Sequence, residues 1–539
     1  MRRSSTRLSL RTGTLLGALL ALAACDRDPT GASLPAGGDI HRDVSASAVW
    51  NGNIRVGVVP AATSVVMGSA ADFTITERGT GAVLLTGTNG TATVTLQSVI
   101  RSWYRLQVMC SGAAAVDARK AAAEAAGYPT FTEFVATANC TRLFIGRFDP
   151  PPASNFTPRT QFKNKLVAEG LAAADAFWAV KADPGVTLYR VVSGTRTADA
   201  TSPVALTSSD GIVTIGGAKY RGTAEVRVNG AGSLAGINEL PMEEYLYGVV
   251  PRELGPAAYP ELEALKAQAV AARTYALAGL GKRASDGYDL LPTTSDQVYG
   301  GYSAEHPLST RAVDETAGVA AVYGGKLITA LYSSTSGGYT ANNEDVFASA
   351  PVPYLRGVID RPTGKHESVL DSLRKSPKAT KLRGKGKKDF ETDWARYHRW
   401  TFEWTAEEIS DVISAYAGQP VGKVLAINVV ERSNSGRVMQ IEYVTEAGTF
   451  TDTKDHIRSS LRFIGADGAP SNLLSTLFVI DPVVEKKTGE VVGFEAYGGG
   501  FGHGVGMAQT GAVGMAEDGY TFEQILKHYY QGIDLTKWY

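Results

Sequence analysis

The sequence predicts an α+β protein assembled from more than one domain, and three observations carry that prediction. A chain of 539 residues exceeds what one hydrophobic core serves, so roughly two to four domains are expected. The chain holds 59 glycines, and apolar and polar residues alternate between Gly-containing turns over residues 54–97, the pattern of strands in a small sheet. A later stretch from Pro260 to Tyr275 reads as a helix: Pro260 suits a first turn, acidic residues follow it, and Leu262, Leu265, Ala269 and Ala272 recur on one face. With 44% apolar residues and a net charge of −1, burial is feasible and no bulk charge calls for nucleic acid.

The N-terminus indicates export. Arg2, Arg3, Arg7 and Arg11 precede an apolar run at 14–24 that is too short to span a bilayer and reads as a signal peptide. The run closes in Leu22-Ala23-Ala24-Cys25, which resembles a bacterial lipobox. That resemblance implies lipidation of Cys25, a membrane anchor and a place in the cell envelope on the periplasmic face of a membrane. An ordinary secretory signal with an incidental Cys is the other reading. Residues 26–47, rich in Ser, Ala, Gly and Asp, read as a flexible tether. Two other cysteines remain, Cys110 and Cys140; in an exported chain such a pair suggests a disulfide, with two buried thiols as the alternative. Strict alternation places Cys110 with Leu106 and Val108 but Cys140 with Arg142, so the bond requires a bulge or strand end. No Cys follows residue 140, which excludes a thiolate zinc site in the C-terminal half.

After the β-rich residues 48–100, the pattern changes over 101–182. Strand patterns at 103–109, 130–136 and 141–148 alternate with an Ala-rich helix at 113–126 and an amphipathic helical stretch at 160–179. With a final strand, this order fits a ferredoxin-like unit. Its segments Tyr104-Arg105-Leu106-Gln107-Val108 and Arg142-Leu143-Phe144-Ile145-Gly146-Arg147-Phe148 resemble those of a SPOR domain, a peptidoglycan-binding module. The resemblance implies that Gln107, Arg142 and Phe144 face a glycan strand. An aromatic ring with amide and guanidinium groups suits the C–H faces and hydroxyls of sugars. The segment Met109-Cys110-Ser111 departs from that family's usual Gly and aromatic. Strand patterns resume at 186–192, 211–215 and 224–229, so the SPOR-like unit is inserted in, or abuts, a β-domain begun near residue 50.

The region 183–539 bears the chemistry. The block Val249-Val250-Pro251-Arg252-Glu253-Leu254 leads into the helix that carries Gln268 and Arg273. Further along stand Thr293-Thr294-Ser295-Asp296-Gln297-Val298-Tyr299, Tyr332-Ser333-Ser334-Thr335-Ser336-Gly337-Gly338-Tyr339 and Gly500-Phe501-Gly502-His503-Gly504-Val505-Gly506-Met507-Ala508-Gln509. In this order they resemble the SpoIID/LytB family, which implies a SpoIID-type mixed α/β catalytic domain. The family's activity is that of a peptidoglycan lytic transglycosylase, and the resemblance places the catalytic carboxylate at Glu253. A glycosidic oxygen leaves poorly until protonated, and the apolar neighbours Val249, Val250, Pro251 and Leu254 would desolvate Glu253 and favour its protonated form. One carboxylate suffices if the 6-hydroxyl of the N-acetylmuramoyl residue attacks its own anomeric centre, whereas a hydrolase pairs two. A glutamate at a helix entrance with no catalytic role is the bland alternative.

By the same resemblance Gln268, Arg273, Tyr299, Ser334, Ser336, Tyr339, His503 and Gln509 are substrate contacts. The Ser334–Gly338 run lacks a Gly-x-Ser-x-Gly elbow and reads instead as a loop that lets a sugar approach the backbone. The glycines near 498–506 lack the Lys-Ser/Thr ending of a phosphate loop. Some family members hold zinc where this chain has Ser295 and Asp296, so no metal and no cofactor are expected. A basic stretch at 365–388 reads as a solvated loop in the catalytic region. The expected partner is the glycan strand; a non-catalytic, LytB-like activator of a cell-wall amidase is the rival reading.

Overall fold

A computed structural model describes residues 50–99, 102–148, 157–182, 186–361, 369–375, 389–391 and 395–539. Cys25, the signal and tether at 1–47, and the basic loop 365–388 apart from 369–375 lie outside the described residues. Strands and helices mix throughout, in agreement with the α+β expectation. The described residues form two compact units, one from those within Met1–Ile75, Thr86–Thr91 and Ala205–Tyr539, the other from those within Thr76–Leu85 and Ala92–Val204.

In the second unit, strands Ser102–Ser111, Thr130–Val135, Cys140–Phe148 and Phe177–Ala182 form one antiparallel sheet. Numbered along the chain, they lie in the spatial order second, third, first, fourth. Helices Ala113–Ala125 and Thr157–Ala168 supply Val116, Ala123 and Leu166 to a core shared with Leu106, Leu143 and Ile145. The helical pattern at 160–179 overran. Gly170 takes φ 69°, a left-handed conformation that ends helices; Leu171, Ala172 and Ala176 then pack into the core and the chain becomes an edge strand. A register shift between Gln107 and Met109 sets Cys110 opposite Arg142. That bulge reverses the side-chain parity, and Cys110 and Cys140 are joined as a disulfide with Cα atoms 5.6 Å apart. Residues 93–99 pair with Val186–Ser193, which pairs onward with Arg196–Ala200.

The first unit opens with strand Asn53–Ala62, antiparallel to Leu234–Pro241, which also pairs with Thr223–Val228. Pro241 closes its strand and is the N-cap of helix Met242–Glu253, whose first turn holds Glu243 and Glu244 against the positive helix end. Helix Leu262–Ala278 follows and is buried from Ala264 through Thr274 apart from Lys266. Its alanines let helices Met242–Glu253, Pro307–Glu315, Gln509–Glu517 and Phe522–Tyr529 and strand Val319–Tyr323 pack against it. A second core gathers Trp404, Ile413, Tyr443, Phe478 and Phe494 from helix Ala406–Ala417 and strands Trp400–Thr405, Val438–Thr445, Phe478–Val484 and Val491–Gly498. Thr405 and Glu408 form a capping box at that helix's start.

Candidate active site

Glu253 is the last residue of its helix rather than an early one. Pro251, which has no N–H to donate, sits in the final turn, and Leu254 leaves in an extended conformation at φ −131°. The Glu253 side chain is buried, 3% exposed, and its Oε1 accepts the Val298 N–H at 2.6 Å.

Two amides meet at the same point. Gln509 Nε2 donates to the Glu253 carbonyl at 3.0 Å and to Gln268 Oε1 at 3.2 Å. Gln268 is fully buried, and its own Nε2 has no hydrogen-bond partner among the described residues. Three segments far apart in the chain, ending at Glu253, centred on Gln268 and beginning at Gln509, therefore converge. Below them Tyr245 donates to Gln297 Oε1 at 3.1 Å, and Gln297 donates to Ala272 O and to Tyr332 Oη at 3.2 and 3.0 Å. Tyr299 is buried between Tyr245 and Tyr220, ring centroids 4.9 and 5.7 Å away, and donates to Asn238 Oδ1 at 2.8 Å. Asp296 accepts the Leu291 N–H at 2.9 Å and pairs with Lys282 and Arg283.

Other expected contacts serve the framework. Arg273 is fully buried; its guanidinium forms two hydrogen bonds with Glu243 and reaches Val319 O at 3.1 Å and Val313 O at 3.3 Å. Ser334 and Ser336 are buried as well. The Ser334 carbonyl accepts Thr510 N at 3.0 Å, directly beside Gln509. Ser336 Oγ donates to Asp360 Oδ2 at 2.7 Å. The expected open approach of a sugar to the Ser334–Gly338 backbone is thus corrected, because these polar atoms already have partners inside the protein.

Residues 332–341 interleave with the Gly-rich segment through pairings Tyr332↔Met507, Ser333↔Ala508, Thr335↔Phe501 and Ala341↔Val505. The glycines there permit close backbone contact: a Cβ on Gly506, at φ 76°, would collide with Leu331 O. Tyr339 is half-buried and bridges to Ile359. His503 is half-buried, its Nδ1 accepts Val505 N at 3.0 Å, and its ring lies 5.5 Å from Phe347. Burial, with Arg458 and Arg437 nearby, pushes His503 down to about 3, so its imidazole is neutral at physiological pH.

Glu391, His398 and Asp360, which the sequence did not single out, form a buried polar cluster beneath Ser336. Gln297 lay within the Thr293–Tyr299 motif, whereas Glu391 and His398 had no periodicity or motif to mark them.

Residues 230–323 match a family profile described as Stage II sporulation protein, and residues 341–506 match a domain of unknown function, DUF8618. Stage II sporulation protein D of Bacillus amyloliquefaciens is 30% identical over 317 residues, covering 56% of this chain and 76% of that protein. The chain belongs to the SpoIID family. An uncharacterized protein of Brachyspira hyodysenteriae is 33% identical over 302 residues, 56% of this chain and 68% of that protein. The amidase enhancer of Bacillus subtilis is 33% identical over 311 residues, 54% of this chain and 40% of that protein. The SpoIID profile spans Glu253, Gln268, Arg273 and Tyr299, whereas Gln509 lies beyond both matched segments. Among the described residues no helix is long and apolar enough to cross a membrane.

In the second unit, Phe131, Phe144, Gln107 and Phe177 form one cross-strand row. The expectation that Phe144 faces a ligand is corrected: it is fully buried, 5.8 Å from the Phe131 ring and under the Lys181 ammonium. Gln107 is half-buried, and Arg142 lies 3.5 Å from Glu133. Phe177, at the end of the row, is 56% exposed.

Proposed function

We propose that the protein binds peptidoglycan and cuts its glycan strands as a lytic transglycosylase, with Glu253 as the general acid and base. The observation that carries this reading is the buried Glu253 carboxyl, bonded to the Val298 N–H, on a residue whose main-chain carbonyl takes the Gln509 amide that also bonds Gln268. Protonated Glu253 gives its proton to the glycosidic oxygen as the C–O bond breaks. The 6-hydroxyl of the N-acetylmuramoyl residue then attacks its own anomeric carbon and returns a proton to Glu253. The product is a 1,6-anhydro end, and no water is consumed. A hydrolase would require a second carboxylate to activate water; Asp296 is paired with Lys282 and Arg283 and is poorly suited to that task.

The second unit is the SPOR-like glycan-binding module of this reading, with Gln107, Arg142 and exposed Phe177 as contacts and the Cys110–Cys140 bond bracing the sheet. A binding module tethered to a weak site raises the effective substrate concentration, and a lipid on Cys25 would hold both at the envelope. The name of the amidase enhancer relative favours a second reading, activation of a cell-wall amidase.

The test is turnover of peptide-free glycan strands by the full chain and by Glu253→Gln. General acid–base catalysis predicts a loss of about 10²–10⁴-fold with glycan binding retained. Equal turnover by the variant would refute the role of Glu253. An inactive wild type that stimulates a cell-wall amidase would favour the second reading.

A further inference from the structure

The loop at Ser336–Gly337 has a partner for every polar atom, and all of those partners except the half-buried Arg399 are buried. Ser336 N and Gly337 N both donate to Glu391 Oε1, the second at 3.1 Å. The Ser336 carbonyl accepts from Arg437 at 2.9 Å and the Gly337 carbonyl from Arg399 at 3.0 Å. Ser336 Oγ accepts Gly338 N at 2.9 Å and donates to Asp360. Glu391 is itself fixed by His398, whose Nδ1 bonds Glu391 Oε2 and whose Nε2 lies 3.3 Å from Asp389. Glu391 and His398 are 0% and 1% exposed. Burial works against both charges, but the pair sustains itself: His398 holds the Glu391 carboxyl below its ordinary range, and the two carboxylates raise the imidazole.

The clamped loop leads to the Glu253 site. Two residues before it, the Ser334 carbonyl accepts both polar hydrogens of Thr510, and the adjacent Gln509 touches Glu253 and Gln268. Thr335 exchanges backbone hydrogen bonds with Phe501, two residues from His503. Displacing Ser336–Gly337 therefore displaces the supports of Gln509 and His503 together.

We infer that Glu391, held by His398, is a positioning residue for the Glu253 site, acting through the Ser336–Gly337 loop. The inference rests on the function proposed above and gives a role to a residue within the segment matched by the domain of unknown function. Glu391 touches no reacting atom; it supplies two charge-assisted hydrogen bonds to amides that nothing else in the loop can satisfy.

The experiment compares wild type, Glu391→Gln and Glu253→Gln in the full chain. Two readouts are taken: amide hydrogen exchange across residues 332–341, and kcat and KM on peptide-free glycan. Glu391→Gln keeps an acceptor oxygen but loses the charge and the imidazolium partner. It should speed exchange of the Ser336 and Gly337 amides about tenfold or more and lower kcat about ten- to a hundredfold, the scale of a small misplacement. KM should change no more than about threefold. If Glu391→Gln does not fold, His398→Gln leaves the carboxylate in place without its partner and should move both readouts in the same direction. Wild-type exchange in the variant overturns the inference, as does faster exchange with wild-type kcat. An active wild type with a dead Glu253→Gln and a fully active Glu391→Gln removes this inference alone. A wild type without turnover removes the catalytic reading and this inference with it.

Discussion

Gly514→Ala sets two effects of opposite sign against each other. Gly514 lies inside helix Gln509–Glu517, where alanine is favoured over glycine by about 1 kcal/mol on helix propensity alone. Helix propensity therefore predicts stabilisation. The packing predicts the reverse: a Cβ built there lies 2.7 Å from Phe390 C and closer still to Phe390 O. Carbon contacts prefer roughly 3.5–4 Å, and the obstacle is backbone, so the segment at 389–391 must move. Such overpacking costs about 1–3 kcal/mol, sometimes more. It also strains the 2.8 Å hydrogen bond from Phe390 N to Asp360 O, a buried bond whose loss costs about 1–3 kcal/mol. The net expectation is destabilisation by about 2–4 kcal/mol, seen as a fall of several degrees in the melting temperature of the first unit. Because Glu391 follows Phe390 directly, turnover should fall as well. An unchanged or raised melting temperature would refute the reasoning, since propensity would then outweigh a contact that the packing forbids.

Three further outcomes follow from single features. Burial and the Glu391 charge push Asp360 up to about 7 from an ordinary 3.8, so the folded protein holds that proton more tightly than the unfolded chain. Its stabilising contribution is complete below about pH 3.8 and is lost as pH rises through about 7; Asp360→Asn should therefore gain stability relative to wild type from about pH 4 to 8, and a pH-independent difference in denaturation midpoints would contradict this. Removing the Cys110–Cys140 link, which spans 30 residues, by a double Cys→Ser change should cost the second unit about 3–4 kcal/mol, read as a lower melting temperature with the catalytic rate on peptide-free glycan unchanged. Arg273→Ala leaves Glu243 without its buried partner and should cost about 3–5 kcal/mol; a stable variant with only a raised KM would make Arg273 a substrate contact instead.

The parts of the site that could be read in advance were those with local pattern. The block ending in Glu253 and the helix carrying Gln268 show caps, stripes and motif spacing, and Gln509 closes a glycine-rich segment with its own signature. Their meeting point is tertiary, but each member stood in a recognisable segment. Arg273 shows the limit of that reading: a polar residue on an Ala-rich helix can face a cleft or a carboxylate inside the protein, and the half-buried Glu243, thirty residues earlier, decides the matter. Phe144 fails for a related reason. The SPOR resemblance assigns it to the glycan-facing side of its sheet, yet Phe131 from the adjacent strand and Lys181 from the edge strand cover it. The helix expected to reach residue 179 stopped at Ala168 because Gly170 outweighs a weak amphipathic pattern. Glu391 and His398 were illegible because a buried ion pair carries no periodicity, and the Ser336 and Gly337 amides it holds are distant in sequence.

The central claim is that the chain cuts glycan without water through Glu253, and the masses of the new chain ends test it most directly. Peptide-free strands incubated with the wild-type protein should yield fragments ending in 1,6-anhydro-N-acetylmuramic acid, each lighter by one water than a hydrolysed end, and Glu253→Gln should yield none. Reducing ends from the wild type, or anhydro ends that persist in Glu253→Gln, would contradict the account.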